Sequence, residues 1–517
     1  MIPSVPDDPP QSGTVYLVGA GPGDPGLLTL RGRHCLSIAD VVLYDGLVSS
    51  LLLRHTRAAC ERTGRAAGPD GKRLDQQEIN ERLIAAAKAG KTVVRLKGGD
   101  PFLFGRGSEE AAALAAAGVP FEVVPGVTAA IAAATYAGLS LTHRELASAV
   151  AFITGHEDPS KPGAVLDYDA LARFPGTLVF YMGLHRIEQI AAALMESGKP
   201  PATPACLISR ATTPQQRTIA GTLADVAASA KTAELHAPSL IVVGDCVRQR
   251  EAIAWFEQRP LLGKRIGVTR PEHQADGVVE RLLALGAEPV LMPLVDIRPP
   301  DDWSPVDSAI ERLDEFQWLV FTSANGVQAF LSRLWEQGWD LRKFADLNIA
   351  VIGPATAAKL EEFHLRADLI PEEYRAESLV EALQPVAAGK RVLWAAADRG
   401  RDVLPEGLAA VGADLVKVET YRSVDVESLP PDAAGLLSSG QLDWIALSSP
   451  AIARCLVDLM PAAALKHLGR KVKLASISPV TSEAARELGL PIAAEATEFT
   501  WNGLLTAILN AEAGPSR

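Results

Sequence analysis

The sequence predicts an α/β protein whose strands are mostly parallel, at least near its start. Two observations carry this prediction: short apolar runs recur along the chain, and Ala-, Leu- and Glu-rich stretches of helical character separate them. The helical stretches include Gln77–Ala89 and Ser108–Ala117. In the first half the predicted strands are Thr14–Val18, Val41–Tyr44, Thr92–Leu96, Phe121–Val124, Val150–Thr154, Thr177–Tyr181, Ala205–Ile208 and Leu240–Val243.

Length and composition indicate a globular chain of several domains. A chain of 517 residues predicts two to four domains, and 48% apolar with 22% charged residues is typical of soluble proteins. The balance of 50 basic against 62 acidic residues gives a net charge of −12, which argues against a nucleic-acid partner. An anionic small substrate remains compatible with this charge, because a single pocket can be basic.

The chain start, the cysteines and the histidines predict a cytoplasmic protein without a metal. Residues 1–13 are rich in Pro and Asp and predict a disordered leader without a secretory signal. The Ala-rich run Val127–Leu141 is short for a membrane span and predicts a packed helix. The five cysteines lie far apart and predict reduced, buried thiols. The nine histidines show no ligand spacing.

The second half contains an internal repeat. "GKRIGVTRP" at Gly263 resembles "GKRVLWAAADRG" at Gly389, and "WLVFTSANGV" at Trp318 resembles "WIALSSPAIA" at Trp444. A third pair aligns Pro354 with Pro479. A repeat of this length is the size of a domain, so it predicts two similar α/β lobes. Hydroxyl residues after the repeated strands predict a cleft shared by the lobes, with helix capping as the alternative role for each of them.

The opening motif "VYLVGAGPGDPGLLTLRG" satisfies the glycine spacing of a dinucleotide-binding loop. However, Asp24-Pro25 stands where the helix should begin, with Asp as the preferred cap and Pro at the preferred first position. The carboxylate would occupy the amides that a pyrophosphate needs, and Pro22 removes another donor. A non-phosphate ligand is therefore favoured.

A second glycine loop, "TVVRLKGGDPFLFGRGSEE", follows a strand and precedes a helix. Its two glycines allow a ligand to approach the backbone, and Asp100 offers an acceptor for an ammonium or hydroxyl group. Ser108 is predicted as the N-cap of the next helix, with Glu109 and Glu110 in the first turn. No P-loop Lys-Ser/Thr pair is present, which argues against nucleoside triphosphates.

Together these segments resemble the tetrapyrrole methyltransferase family over residues 14–257. The resemblance rests on "GAGPGDPGLLTLRG", "VVLYDGLV", "VVRLKGGDPFLFGRGSEE", "VVPGVTAA", "LTHR", "TLVFYMGL" and "APSLIVVG". It implies two α/β domains, about 14–140 and 141–257, with S-adenosylmethionine bound between them, and a homodimer. It further implies two methylations of uroporphyrinogen III, giving precorrin-2.

The same resemblance implies the cofactor contacts, residue by residue. In this sequence they are Pro22, Gly98, Gly99, Asp100, Leu103, Thr128, Ala129, Met182 and Ala211. Ala211 stands where the family usually has Gly, and its backbone can still serve. Met182 has an alternative role as a core residue.

The resemblance also names candidates for the chemistry. Asp45 is the proton acceptor, with capping of the next turn as the alternative. The family's proton-donor Lys is replaced by Arg65, which stays protonated at neutral pH. Arg65 is therefore predicted to orient substrate carboxylates. Arg106 and Arg144 are further candidates for carboxylate binding, and surface ion pairs are their alternative.

After a linker at 258–263, residues 264–512 resemble the uroporphyrinogen-III synthase family. The matching segments are "VTRP", "VFTSANGV", "ADRGRD", "VETYRS", "ALSSPAI" and "SPVTSEAA". The resemblance implies lobe one at about 264–298 plus 424–512 and lobe two at about 299–423. The chain would cross between lobes near Val295–Pro299 and Thr420–Val424.

The synthase reaction closes linear hydroxymethylbilane into a ring, and a general acid assists the loss of hydroxide. Tyr421, at the second crossing, is the best candidate acid, with a hinge residue as the alternative. Backbone amides and hydroxyls are the candidates for binding substrate carboxylates, the hydroxyls being those of Thr269, Ser323, Ser448, Ser449 and Thr481.

The two resemblances predict a bifunctional enzyme that converts hydroxymethylbilane to precorrin-2, for siroheme or cobalamin. In one alternative the second half is a degenerate regulatory module. In others the first half methylates another tetrapyrrole position, or RNA or protein, or is an oxidoreductase. A dehydrogenase–chelatase module before the methyltransferase is not expected, because only about a dozen residues precede the first strand.

Overall fold

The computed structural model describes residues 13–63, 74–155, 166–399 and 402–514. The chain forms two compact units, the first comprising 1–263 with 283–288 and the second 264–282 with 289–517. Each unit contains two five-stranded sheets with helices between the strands. The predicted α/β class is confirmed.

The first unit holds ten strands and eight α-helices within its described residues. The strands are β1 (Val15–Gly19), β2 (Val41–Tyr44), β3 (Ala59–Arg62), β4 (Val93–Lys97), β5 (Phe121–Val124), β6 (Val150–Thr154), β7 (Thr177–Tyr181), β8 (Pro204–Ser209), β9 (Arg217–Thr222) and β10 (Ser239–Val243). The α-helices are α1 (Leu30–Ser37), α2 (Gln76–Lys88), α3 (Gly107–Ala116), α4 (Ala129–Tyr136), α5 (Tyr168–Arg173), α6 (Ile187–Glu196), α7 (Val226–Thr232) and α8 (Arg250–Ile253).

The two sheets of the first unit differ in strand direction. Sheet 1 has the order β3-β2-β4-β1-β5 and every pairing is parallel. Its central strand β4 and the neighbouring β1 are buried along their whole length, as expected for a parallel sheet covered on both faces. Sheet 2 has the order β6-β7-β10-β8-β9, in which only β6 and β7 run parallel. The prediction of parallel strands near the start of the chain therefore holds in sheet 1, whereas sheet 2 is mostly antiparallel.

The start of α3 differs from the prediction by one residue. The helix begins at Gly107 and its N-cap position is Arg106, which adopts a left-handed φ of 58°. Ser108 is the second residue of the helix, so its predicted role as N-cap is wrong. Glu109 and Glu110 do lie in the first turn.

The second unit contains the remaining described strands and helices. The strands are β11 (Arg265–Val268), β12 (Glu288–Leu291), β13 (Val295–Arg298), β14 (Trp318–Phe321), β15 (Asn348–Val351), β16 (Arg391–Ala397), β17 (Asp414–Asp425), β18 (Trp444–Leu447), β19 (Lys473–Ser476) and β20 (Ile492–Glu495). The α-helices are α9 (Asp276–Ala284), α10 (Ser304–Glu311), α11 (Ala324–Glu336), α12 (Pro354–Glu362), α13 (Ala376–Ala387), α14 (Val403–Ala409), α15 (Pro431–Ser439), α16 (Pro450–Leu459), α17 (Pro479–Glu487) and α18 (Trp501–Ala513).

The sequence repeat corresponds to equivalent strands in two sheets. Sheet 3 has the order β12-β11-β18-β19-β20 and sheet 4 has the order β13-β17-β16-β14-β15. The three repeated segments form β11 and β16, β18 and β14, and β19 and β15. The three strands are neighbours in the same relative order, β11-β18-β19 in sheet 3 and β16-β14-β15 in sheet 4, so the repeat does describe two similar lobes.

The two predicted crossing segments pair with each other. β13 runs antiparallel to the end of β17, with Val295 opposite Asp425 and Arg298 opposite Arg422. The earlier part of β17 pairs in parallel with β16. The crossings are thus a two-stranded ribbon that extends sheet 4.

Glu512 fixes the last helix to sheet 3. Its carboxylate accepts hydrogen bonds from Lys264 (2.7 Å), Lys473 (2.8 Å) and the Trp444 indole (3.0 Å). Burial alone would raise the pKa of Glu512, but these donors lower it from 4.5 to about 2. The stabilisation is therefore complete above pH 4.5 and is lost as the pH falls towards 2.

We expect Glu512→Gln to destabilise the second unit by about 2 kcal/mol at neutral pH and to flatten its loss of stability in acid. Urea unfolding followed by tryptophan fluorescence at several pH values measures this. The exposed Glu483→Gln on α17 is the control. Parallel acid profiles for Glu512→Gln and the unsubstituted chain would contradict the prediction.

The cysteines and helices can be compared with the predictions of buried thiols, of no membrane span and of no metal site. All five cysteines are free thiols; four are buried, whereas Cys60 is exposed, so the prediction of buried thiols fails at that residue. In the described ranges, no helix combines the length and apolarity needed to cross a bilayer. The same ranges hold no group of three potential metal ligands.

Candidate functional site

The two glycine loops of the first unit are joined through their backbones. The Gly21 amide donates to the Gly99 carbonyl (3.2 Å), and the Gly99 amide donates to the Gly21 carbonyl (2.8 Å). Both residues adopt left-handed φ values, 75° and 71°, which suit glycine. Because these two amides already have partners, they are not available to a pyrophosphate. The spacing that suggests a dinucleotide serves loop pairing instead.

Asp24 caps the next turn, as the sequence predicts. Its carboxylate accepts from the Gly26 amide (2.8 Å) and the Tyr136 hydroxyl (2.7 Å), while its amide donates to Thr212 (3.0 Å). Burial and this carboxylate raise the pKa of Tyr136. The capped element is only a 3-10 turn at Pro25–Leu27, and α1 starts later, behind its own cap Thr29. Asp24 thereby ties the opening loop to the segments that flank sheet 2.

The predicted cofactor residues converge around Tyr181. Leu103, Ala129 and Ala211 pack on the apolar cluster that contains Tyr181. The Tyr181 hydroxyl lies 2.6 Å from Thr128 Oγ1 and accepts the Ala130 amide at 2.9 Å. Sequence reasoning did not single out Tyr181, although it immediately precedes Met182 in the quoted "FYMGL".

Two residues beside Tyr181 have strained backbones. Met182 is 48% exposed at φ 56°, and Phe104 adopts φ 55° with its ring 4.8 Å from the Tyr181 ring. Non-glycine residues in this conformation often mark ligand sites. The exposure of Met182 argues against its alternative role as a core residue.

The remaining predicted contacts border the same region. Pro22 precedes Gly23, where an added Cβ would lie 3.2 Å from the Ala211 carbonyl oxygen. An added Cβ on Gly99 would lie 3.7 Å from the Ala129 amide nitrogen, and one on Gly98 would meet only Leu47. The glycine loops therefore bring their backbone close to α4 and to the Ala211 segment. An apolar, backbone-lined edge of this kind fits an adenosine and a thioether better than a phosphate.

The Asp100 carboxylate has a larger structural role than the sequence suggests, because it binds backbone amides of the protein. One carboxylate oxygen accepts the amides of Phe102 (2.8 Å) and Leu103 (3.2 Å), and the other accepts the Gly126 amide (3.0 Å). The expectation of a free acceptor is thus corrected. Asp100 organises the loop that carries Leu103, with at most one acceptor position left for a ligand.

Gly126 is the tightest point of this arrangement. An added Cβ would lie 2.3 Å from the Gly99 carbonyl oxygen and 2.7 Å from Gly19 Cα. We expect Gly126→Ala to push the second glycine loop away, to destabilise the first unit by about 1–3 kcal/mol and to weaken S-adenosylmethionine binding at least about tenfold. Calorimetric unfolding and isothermal titration measure the two effects.

Gly435→Ala is the matched control for this substitution, because its Cβ would enter open space. It should leave both quantities unchanged. Wild-type affinity in Gly126→Ala would refute the role assigned to this contact.

Asp45 follows β2 at the carboxyl edge of sheet 1. Its Oδ1 accepts hydrogen bonds from Arg95 and from Thr63 (3.2 Å), whereas Oδ2 accepts none from the described residues. Only its backbone carbonyl accepts the Val48 amide of the next turn, so its side chain is not the cap that the alternative required. The carboxylate is one-third exposed and keeps one oxygen available for a proton.

Beneath Asp45 lies a buried charge network formed by Arg95, Lys97 and Glu110, which sequence reasoning missed. Arg95 and Lys97 alternate along β4 and are each 2% exposed, while Glu110 of α3 is fully buried. Glu110 Oε1 accepts from Arg95 (3.1 Å) and Lys97 (2.9 Å). The sequence signal that could have predicted this network is the pair of cationic residues within an otherwise apolar strand.

The other basic candidates have different positions. Arg65 lies outside the described residues. Arg106 pairs with Glu109 at 2.6 Å on the surface, which is the alternative role considered for it. Arg144 is exposed and makes no ion pair with a described residue.

The second unit contains a cleft with a cavity of about 570 Å³. Residues after β11, on the two ribbon strands and on α11 line it. Tyr421 is among them, and its hydroxyl donates to Ser323 Oγ at 2.9 Å. Burial raises the pKa of Tyr421, so its hydroxyl stays protonated at neutral pH.

Arg270, a residue that the sequence did not single out, is the unusual cation of this cleft. Arg298, Arg333 and Lys359 each have a carboxylate partner. Among the described residues, the Arg270 side chain donates a hydrogen bond only to Gln274 (3.4 Å) and has no ion-pair partner. Burial lowers its pKa, as expected for a cation that lacks a counter-charge.

The candidate hydroxyls have mostly structural partners. Ser323 caps α11 and Ser449 caps α16, at equivalent places in the two lobes. Thr269 is fully buried and donates to the Ala446 carbonyl (2.6 Å), and Thr481 is buried beside the cap of α17. Ser448 is half-buried next to Ser449. The Thr269 and Thr481 side chains are thus turned into the protein, which corrects their assignment as substrate-binding hydroxyls.

Comparisons with known proteins match both halves. The family of tetrapyrrole (corrin/porphyrin) methylases matches residues 14–227, and that of uroporphyrinogen-III synthase HemD matches residues 276–506. A porphyrin biosynthesis protein HemD of Ruminiclostridium josui is 34% identical over 93% of this chain and 94% of its own length.

Two further relatives match the first half alone. An S-adenosyl-L-methionine-dependent uroporphyrinogen III methyltransferase of Methanosarcina barkeri is 49% identical over 48% of this chain and 96% of its own. The crystal structure of uroporphyrin-III C-methyl transferase from Thermus thermophilus with S-adenosyl homocysteine is 42% identical, covering 46% of this chain and 99% of that one, at a TM-score of 0.39. With its nearly full-length relative and its two matched domains, the chain belongs to the family of porphyrin biosynthesis proteins that join a tetrapyrrole methylase to a uroporphyrinogen-III synthase.

Proposed function

We propose that the chain is a bifunctional enzyme of tetrapyrrole biosynthesis. Its second half, 264–512, cyclises hydroxymethylbilane to uroporphyrinogen III. Its first half, 14–257, methylates that product twice with S-adenosylmethionine to give precorrin-2. The observation that carries the methyltransferase half is Asp45, whose Oδ2 accepts no hydrogen bond from the described residues. Asp45 lies two residues before Leu47, which borders Gly98.

In the methyltransferase half, catalysis depends mainly on aligning the methyl donor with the substrate. S-adenosylmethionine, when bound, supplies an electrophilic methyl group on its sulfonium. The nine predicted contacts, gathered around Tyr181 and the glycine loops, would hold it against a pyrrole carbon. After the carbon–carbon bond forms, the methylated carbon carries no hydrogen and its ring is left as a cation. Asp45 Oδ2 accepts the proton that this ring system loses from a neighbouring position as it becomes neutral, and S-adenosylhomocysteine is the leaving group. Arg65 and Arg144 would orient the substrate carboxylates.

In the synthase half, the cleft would hold the flexible, polyanionic hydroxymethylbilane in the conformation from which its ring closes. Arg270 would bind a substrate carboxylate, together with backbone amides at the capped helix starts and with Ser448. The Tyr421 hydroxyl donates to Ser323 in the free protein and would turn this one proton to the departing hydroxyl group of the substrate.

One coupled incubation tests both halves. The full chain is given hydroxymethylbilane and labelled S-adenosylmethionine, and the expected product carries the type III arrangement and two labelled methyl groups. Type I product alone would indicate a regulatory second half. With supplied uroporphyrinogen III, incorporation of anything other than two methyl groups would indicate another methylation target.

Finer assignments belong to the same proposal. We infer a homodimer formed through the methyltransferase half, a cytoplasmic location, a product that enters siroheme or cobalamin synthesis, and no nucleic-acid partner. The free thiols and the net charge of −12 support the location and the lack of nucleic acid. Light scattering of the purified chain tests the dimer.

A further inference from the structure

The buried charge network beneath Asp45 is more than a surface ion pair. Glu110 Oε1 accepts three hydrogen bonds, from Arg95 Nε (3.1 Å), Lys97 Nζ (2.9 Å) and Gln76 Nε2 (3.1 Å). Its other oxygen is buried and accepts none from the described residues. Burying charges in this way is costly, and a well-packed apolar set would often be more stable. Stability alone therefore does not account for four polar side chains at this place.

Arg95 connects the network to the reacting edge of the sheet. One guanidinium contains the Nε that donates to Glu110 and the Nη2 that donates to Asp45. Its Nη1 donates to Thr63 Oγ1 (3.0 Å), which in turn donates to Asp45. The position of the Asp45 carboxylate is thus set by a planar group whose far side is held by Glu110.

The charges balance only when Asp45 is included. Arg95 and Lys97 are two cations, and Glu110 with Asp45 are two carboxylates. Burial, with a smaller contribution from Arg95, lowers the pKa of Lys97, and both carboxylates oppose this. Among the described residues, the Thr63 hydroxyl donates to Asp45, and the Arg62 guanidinium donates to the carbonyl of the adjacent Gly46 (3.2 Å). The neutral Gln76 donates to Glu110.

We propose that Glu110 and Lys97 are positioning residues for methyl transfer, acting through Arg95 to hold Asp45 as an oriented carboxylate with Oδ2 directed away from the network. The inference rests on the proposed function, because it assumes that Asp45 accepts the proton. Neither residue touches the substrate. Their opposite charges should act on Asp45 in opposite directions.

The test is the pH dependence of kcat/KM for the first methylation, measured with the full chain, uroporphyrinogen III and labelled S-adenosylmethionine. Glu110→Gln leaves two cations facing one carboxylate, so protonation of Asp45 becomes harder and the acid limb should move about one unit to lower pH. Lys97→Met removes a cation of similar length, so the acid limb should move about one unit to higher pH. The double variant restores the charge balance and should return the limb to its original position.

The controls separate positioning from folding. Glu109→Gln makes the same charge change one residue away, in a surface pair with Arg106, and should leave the profile unchanged. S-adenosylmethionine affinity and the unfolding midpoint report whether each variant is folded. Shifts of the two single variants in the same direction, superimposable profiles, or loss of cofactor binding in all three network variants would overturn the proposal. An unsubstituted chain that methylates nothing would refute the proposed function instead.

Discussion

Replacing Asp45 by Asn is expected to lower kcat for methyl transfer by about a hundredfold or more while leaving S-adenosylmethionine affinity within a factor of two. General acid–base groups contribute about 10²–10⁴ to rate, and an amide cannot take up the proton that the methylated ring cation loses. Asn can still accept the hydrogen bonds of Arg95 and Thr63, so the sheet edge should keep its shape. Single-turnover methylation with labelled cofactor measures the chemical step directly.

The second half of the same chain provides an internal control for this variant. Cyclisation of hydroxymethylbilane by Asp45→Asn should equal that of the unsubstituted chain, because Asp45 belongs to the first unit. Isothermal titration with S-adenosylhomocysteine should show an unchanged affinity. A single-turnover rate within about threefold of the original would mean that water or another group takes the proton, and Asp45 would then be only a structural residue.

The strands that sequence reasoning found are those with buried apolar runs, such as β1 and β7. It missed β3 and β9, each of which lies at one edge of its sheet, although it found the opposite edge strands β5 and β6. In β3 no residue is buried, and β9 is half-buried at best, so neither needs an apolar run. Edge strands take their stability from one neighbour, and that pairing is a property of the tertiary fold.

In the candidate site, too, features set by neighbouring residues could be predicted, whereas features set by tertiary packing could not. Local motifs predicted the Asp24 cap and the segments that meet around Tyr181. Capping and loop conformation depend on a few consecutive residues, so short sequence motifs are enough to predict them. These motifs could not predict that Arg95 reaches Glu110, because that contact depends on how α3 packs on sheet 1. Asp100 was misjudged for the converse reason, since its carboxylate is satisfied by amides of its own loop and of Gly126.

The hydroxyl residues of the second unit show that a sequence motif can place a residue at a helix start without predicting the direction of its side chain. Ser323 and Ser449 do fall at matching helix starts, which the repeat indicated. Thr269 and Thr481 follow the same pattern in sequence, yet their side chains face the interior. The cation of interest, Arg270, immediately follows Thr269 and carried no distinguishing signal. Only the missing counter-charge identifies it, and that is visible only in three dimensions.

Arg270→Met is expected to lower kcat/KM for hydroxymethylbilane by about 10–100-fold and, at the same time, not to lower the unfolding midpoint of the second unit. The loss corresponds to one hydrogen-bonded charge pair with a substrate carboxylate, about 1.5–3 kcal/mol. Stability should be unchanged or rise, because a half-buried guanidinium without a counter-charge is costly and Met fills similar space. Initial rates of type III product and calorimetric unfolding measure the two effects.

The pairing of the other cleft cations supplies the contrast that makes this prediction specific. Arg333 is held by both oxygens of Asp307 at 2.7 Å, so Arg333→Met breaks an ion pair and should destabilise the second unit, with a smaller loss of cyclisation. Arg270→Lys keeps the charge without the planar fork and should recover part of the activity. Arg270 would then be a cation that costs stability in the free protein and is compensated only when an anionic substrate occupies the cleft. If Arg270→Met destabilises as Arg333→Met does, Arg270 is part of the scaffold and the substrate carboxylate binds elsewhere.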